Sequence, residues 1–144
     1  MIRIICVGKI KEKFYRDAID EYLKRLQKYH KVIIDEVIDS NIKQESDLIQ
    51  KKITEKEYII TLEIEGKEIN SIEFSQLIEK TFLTTSNITF IIGGSNGLSD
   101  EIKRKANYHL SFSKLTFPHQ LFRVILLEQI YRSFKIINHE AYHK

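Results

Sequence analysis

The chain has 144 residues, 42% of them apolar and 30% charged, with a formal net charge of +3. That length supports one domain, spanning 1–144, with a core of its own, and the mild basic excess permits a nucleic-acid partner without demanding one. The lone cysteine, Cys6, excludes an internal disulfide framework, and no apolar run suits a signal peptide or membrane span, so a cytoplasmic protein is expected.

Ile2 to Val7 is apolar and rich in β-branched residues, the pattern of a short strand covered on both faces. From Lys13 to Tyr29 the period turns helical. Phe14, Ala18, Tyr22 and Leu26 recur at intervals of four, with charges on the other side. Val32 to Val37 reads as a second strand. The polar stretch from Asp39 to Lys56 suggests a short helix capped by Ser46 and running to Lys52. Tyr58 to Ile64 predicts a third strand, closed by a turn at Glu65-Gly66-Lys67. Asn70 followed by Glu73 is a capping-box pattern for a helix to about Phe82. Asn87 to Ile92 is the most apolar strand. Ser99-Asp100-Glu101 opens a short helix, and Tyr108 to Ser113 is the fifth strand. Pro118 stands at the start of a last helix to about Ile137. That helix has two apolar faces, Phe122, Leu126, Ile130 and Phe134 on one and Leu121, Val124, Ile125 and Tyr131 on another, and the second is expected to meet another chain. Alternating strands and helices predict an α/β fold with a mainly parallel sheet, whose ligands bind beyond the carboxyl ends of the strands.

Two segments lie at such ends. Gly93-Gly94-Ser95-Asn96-Gly97 follows the fourth strand. It lacks the lysine and hydroxyl of a phosphate loop and the spacing of a dinucleotide fingerprint. Taken alone it is a tight turn. As a site it is a backbone-lined pocket for an uncharged base or small cofactor. Phe112-Ser113-Lys114-Leu115-Thr116-Phe117-Pro118-His119 is too apolar for an exposed loop, and is expected to be buried against the same pocket. The tail ends in Tyr142-His143-Lys144, aromatic and basic, a combination suited to stacking on a base and pairing with phosphate. The sequence shows no metal-ligand spacing and no nucleophile elbow.

Four strings occur in order: I-I-G-G-S-N-G-L, S-F-S-K-L-T-F-P-H-Q, R-V-I-L-L-E-Q-I-Y-R-S-F-K-I and the ending A-Y-H-K. V-G-K-I-K-E-K-F-Y near the start and T-L-E-I-E-G-K in the middle accompany them. Together they resemble the SPOUT methyltransferases, and more closely the RlmH family of ribosomal large-subunit pseudouridine N3-methyltransferases. The resemblance spans essentially the whole chain. It implies an α/β sheet with a deep C-terminal trefoil knot and S-adenosyl-methionine as cofactor. Leu62, Gly93, Gly94, Gly97 and Phe112, Ser113, Lys114, Leu115, Thr116 and Phe117 would surround that cofactor. It also implies a homodimer joined through the last helix, with no metal, and a target pseudouridine in helix 69 of 23S rRNA, presented by the assembled ribosome. N3 of that base must lose a proton before it can accept a methyl group. His143 is the candidate base, Tyr142 a stacking or orienting group, and Arg123, Arg132 and Lys144 candidates to hold phosphates or the developing anion. The competing classes are a non-catalytic RNA- or nucleotide-binding module, and a nucleotide hydrolase. The second should show a nucleophile or metal ligands, and none is present.

Overall fold

A computed structural model describes residues 1–144. Its elements are β1 (Ile2–Val7), α1 (Lys13–Leu26), β2 (Val32–Val37), α2 (Ile42–Lys52), β3 (Tyr58–Glu68), α3 (Ser71–Phe82), β4 (Ile88–Ile92), α4 (Asp100–Lys105), β5 (Tyr108–Ser111) and α5 (His119–Ile137). The strands form one sheet in the order β2-β1-β4-β3-β5, and every pair is parallel. No helix is long and apolar enough to cross a membrane.

The period of two sorts β1 between two cores. Ile2, Ile4 and Cys6 face a layer that also holds Phe90, Ile78 and the α5 residues Leu126, Ile130 and Phe134. Ile5 and Val7 face a smaller layer with Ile49 of α2 and Ile102 of α4. Right-handed crossovers dictate this division: β1 to β2 and β3 to β4 move one way along the sheet, β2 to β3 and β4 to β5 the other. So α1 and α3 cover one face, and α2 and α4 the opposite one. Cys6 is sealed inside, and burial pushes its thiol up to about 12.

After β5, at the sheet edge, the chain does not stop there. Residues 112–118 carry it back across the carboxyl ends of the strands, and α5 settles against both α1 and α3. Arg123 marks its arrival. Its guanidinium donates to the Gly8 carbonyl at 3.2 Å and to Glu36 at 2.6 Å, at the ends of β1 and β2. This double packing accounts for much of the second apolar face. Tyr131 is buried beside Tyr22 and Tyr29, and Val124 joins the core, while Leu121 and Ile125 stay half-exposed.

Two local expectations change and a third holds. Asn41, not Ser46, caps α2 by accepting from the Gln44 amide, and Ser46 is buried inside the helix, sharing a 2.7 Å hydrogen bond with Ser99. The capping box at Asn70 and Glu73 forms as the sequence predicts. The expected turn at Glu65-Gly66-Lys67 is instead a jog within β3, which re-pairs with β5 so that Leu62 and Lys67 both lie opposite Leu110. Gly66 permits it: a Cβ there would stand 2.8 Å from the Leu110 carbonyl carbon.

Beneath the sheet, Glu57 accepts from Arg3, Thr89 and the Thr54 amide. Burial pushes its carboxyl up, but these hydrogen bonds outweigh burial and hold it below the usual carboxylate range. A depressed carboxylate stabilises the fold above its unfolded pKa and loses that contribution as pH falls through its folded pKa. Glu57→Gln should therefore cost about 2 kcal/mol at pH 7. It should also lose less stability than the wild type between pH 7 and pH 3, as read by urea unfolding at both values.

Candidate active site

A cavity of about 510 Å³ opens at the carboxyl ends of β3, β4 and β5. Its first wall is Leu62 to Glu65, the jogged part of β3. Its second is the turn after β4, with Ile92, Gly93, Gly94, Ser95, Gly97 and Leu98. Its third is the crossing segment and the start of α5, with Phe112, Ser113, Leu115, Thr116, Phe117, His119 and Phe122, and Lys103 reaches in from α4.

The turn is built on backbone contact. Gly97 donates its amide to the Gly94 carbonyl at 3.0 Å. A Cβ on Gly93 would lie 2.7 Å from the Gly97 carbonyl, and Gly97 itself has φ +74°, where L side chains are strained. The crossing segment is held by hydroxyls. Ser111 Oγ donates to the Ile64 carbonyl at 2.9 Å, tying β5 to the jog, and Ser113 Oγ accepts from the Leu115 amide at 2.9 Å. Aromatic packing fixes its ends: Phe112 meets Phe74 and Phe122, and Phe117 stacks on Phe122.

The sequence expectation of a buried loop is corrected here. Leu115 is 72% exposed, and Lys114 and Thr116 are also exposed. Phe112 packs on the core, while Leu115 and Phe117 line an open cavity. Of the cofactor residues expected from sequence, all but Lys114 line this cavity. His119, at the end of that loop, lines it as well, and so do Glu63, Glu65, Lys103 and Leu98, to which the sequence assigned no role.

The other candidate residues lie on α5 and in the tail that follows it. Arg123 is 3% exposed, absent from the cavity wall, and engaged by Glu36 and Gly8. The tail folds back instead of trailing. Glu140 donates its amide to the Lys135 carbonyl and His139 to that of Ile136, with His139 at φ 55°, the left-handed helix end of a Schellman motif. Glu140 then pairs with Lys135 at 3.1 Å and accepts from the Tyr29 hydroxyl at 2.9 Å. That docking brings Tyr142 onto α5. Its hydroxyl donates to Glu128 at 2.8 Å, its ring lies 4.8 Å below the Arg132 guanidinium, and it meets Tyr131 edge-on. Burial first, then the Glu128 carboxylate, pushes the phenol well above its ordinary range, so it remains a donor. Arg132 also pairs with Glu128 at 2.8 Å and donates to His143 Nδ1 at 3.0 Å. An arginine only donates, so Nδ1 is the acceptor and a neutral imidazole carries its proton on Nε2. Lys144 is exposed.

A family described as "Predicted SPOUT methyltransferase" matches residues 1–143. The chain belongs to the SPOUT methyltransferase family. Two relatives are named ribosomal RNA large subunit methyltransferase H. That of Clostridium botulinum (strain Hall) is 54% identical over 157 aligned residues, covering 99% of each chain. That of Caldicellulosiruptor bescii is 51% identical over 154, covering 100% of each. A solved structure, a probable methylase family protein from Haemophilus influenzae, superposes with a TM-score of 0.59 at 12% identity, covering 99% of this chain and 70% of that one, and shows the shared fold. The parallel sheet with its returning C-terminal segment is thus the knotted α/β fold of the SPOUT methyltransferases, and S-adenosyl-methionine is the methyl donor.

The residues present fit that cofactor. The volume is that of a small-molecule site. The apolar part of the wall suits a flat purine, and Glu63, Lys103 and Ser95 offer polar groups. Gly93→Ala should force Gly97 outward, costing about 1–3 kcal/mol of stability. Thermal unfolding followed by circular dichroism would register it, together with loss of S-adenosyl-methionine binding in calorimetry.

Proposed function

We propose that this chain methylates N3 of a pseudouridine in 23S rRNA of the assembled ribosome, as a homodimer. The observation that carries the reading is identity of 54% along 99% of the chain with a ribosomal RNA large subunit methyltransferase, joined to a cavity lined by the segments that carry the resemblance. When bound, S-adenosyl-methionine supplies an activated methyl group. The protein's own work is to bind, position and manage a proton.

Tyr142, held by Glu128 and Tyr131, presents a rigid aromatic group beside a cation, suited to orienting a base. His143 is the proton acceptor. In the docked tail its lone pair at Nδ1 is taken by Arg132, so taking a proton from N3 requires exchange of that contact for substrate. Arg132, freed of it, keeps its Glu128 pair and faces the developing negative charge. Lys144 serves the RNA backbone. Arg123, locked to Glu36 and Gly8, acts through the placement of α5 rather than by touching substrate.

None of the tail residues lines the cavity of its own chain. A site shared between protomers resolves this: the tail of one chain meets the cavity of the other. Surface for that association exists. Leu121 and Ile125 of α5 are half-exposed, and Gln120 accepts from the Lys11 amide, which brings the first turn of α1 alongside with Phe14 64% exposed.

Calorimetric titration with S-adenosyl-methionine, with ATP as control, followed by methyl transfer to ribosomes lacking the modification, tests the reading. Saturable binding of S-adenosyl-methionine alone and transfer to ribosomes support it. Equal binding of ATP, or transfer to no rRNA, would favour a nucleotide- or RNA-binding module. His143→Ala should lower kcat by about 10²–10⁴-fold at unchanged cofactor affinity. Full turnover by that variant would remove the base assignment.

A further inference from the structure

Glu63 belongs neither to the tail's chemical group nor to the backbone contacts of the turn. It stands on the jogged wall of β3, lines the cavity, and its side chain is 14% exposed. Three groups brace it. Thr61 Oγ donates to Oε2 at 2.6 Å, and His109 Nδ1 contacts the same oxygen. Lys103 Nζ lies 3.9 Å from Oε1, too far for a hydrogen bond. A carboxylate only accepts, so His109 presents its Nδ1–H to it. Oε2 is thus occupied and fixed, while Oε1 accepts no hydrogen bond from the chain. The result is a single immobile acceptor on a cavity wall, held by a strand and a neighbouring strand rather than by a loop.

We infer that Glu63 receives the ribose hydroxyls of the cofactor and so sets the preference for a ribonucleoside. The inference rests on the reading of this cavity as the S-adenosyl-methionine site. The braces decide between donors. Lys103 stands next to Oε1 and offsets the carboxylate charge, so a second ammonium, such as that of the methionine end, meets a cation beside its acceptor. A neutral hydroxyl meets no such repulsion and gains a hydrogen bond to a charged acceptor, the stronger kind. The position agrees: Glu63 follows Leu62 and both residues line the cavity, so purine and sugar would lie against consecutive residues.

The test is calorimetric and uses no turnover. The ligands are S-adenosyl-methionine, its 2′,3′-dideoxyribose analogue, and methylthioadenosine, which keeps the ribose and lacks the amino-acid end. Glu63→Ala should weaken S-adenosyl-methionine and methylthioadenosine alike, by about 10–100-fold. It should leave affinity for the dideoxy analogue at the wild-type value. Glu63→Gln, which keeps the shape and one acceptor, should fall between, and unfolding curves of both variants confirm that the domain is intact. A loss seen with S-adenosyl-methionine but not methylthioadenosine would assign Glu63 to the amino-acid end and overturn the inference. So would an equal loss with all three ligands, or none. Failure of the wild type to bind S-adenosyl-methionine at all would instead overturn the reading of the cavity.

Discussion

The site depends on two places where backbone lies against backbone too closely for any side chain. One is Gly93 against Gly97, the other Gly66 against Leu110 and His109. At both, an added Cβ would stand under 3.0 Å from main-chain atoms, which cannot move aside as a side-chain tip can. The first contact closes the turn after β4 and leaves its amides and carbonyls as a wall. The second lets β3 jog and re-pair with β5, which swings Glu63 and its neighbours to the cavity rim. Between them passes the crossing segment, tied to the jog by Ser111 Oγ on the Ile64 carbonyl. Loosening either contact would separate walls that must share one ligand.

Electrostatics then distributes the charged residues between structure and chemistry. Arg123 and Glu36 bind the start of α5 to the ends of β1 and β2, and Glu57 gathers Arg3, Thr89 and Thr54 under the sheet. Glu128, Arg132, Tyr142 and His143 form a connected group at the other end of α5, reached because the tail reverses direction at His139. The helix that completes the core therefore also carries the tail's chemical groups. Its two ends do different work.

What could be read from the sequence is what is local. The strands β1 and β4 announce themselves by apolar runs broken only by Arg3 and Thr89, the Asn70–Glu73 box by spacing, and the glycine turn by composition. Resemblance pointed to Leu62, Gly93, Gly94, Gly97 and residues 112–117, and one cavity is lined by all of these but Lys114. The misread parts are those decided from far away. Gly66 looked like a turn because its reason for being glycine is the β5 backbone, over forty residues on. Arg123 looked available because Glu36, its partner, is 87 residues earlier. Glu63 drew no attention in the sequence, since Thr61, Lys103 and His109 converge on it only in the folded sheet. Ser46 looked like a cap because its partner is Ser99, 53 residues away. Side chains that meet across such separations leave no periodic trace.

The return of α5 to the first strands has a consequence for how the molecule comes into being. Ile2 and Ile4 are among the first residues made, and Leu126, Ile130 and Phe134, which share their core, are among the last. A nascent chain that has finished β5 possesses every strand of its sheet, but α1 and α3 cover one face only in part until α5 packs against them, and the third wall of its cavity is missing. Closing that face also demands that the last segment be carried through the knot before it can pack. Contacts of such separation make folding slow and leave apolar strands open meanwhile. Ligand binding and the completed core thus arrive in the same late event, so a chain cut short before α5 would be recognised by its exposed sheet before it could bind anything.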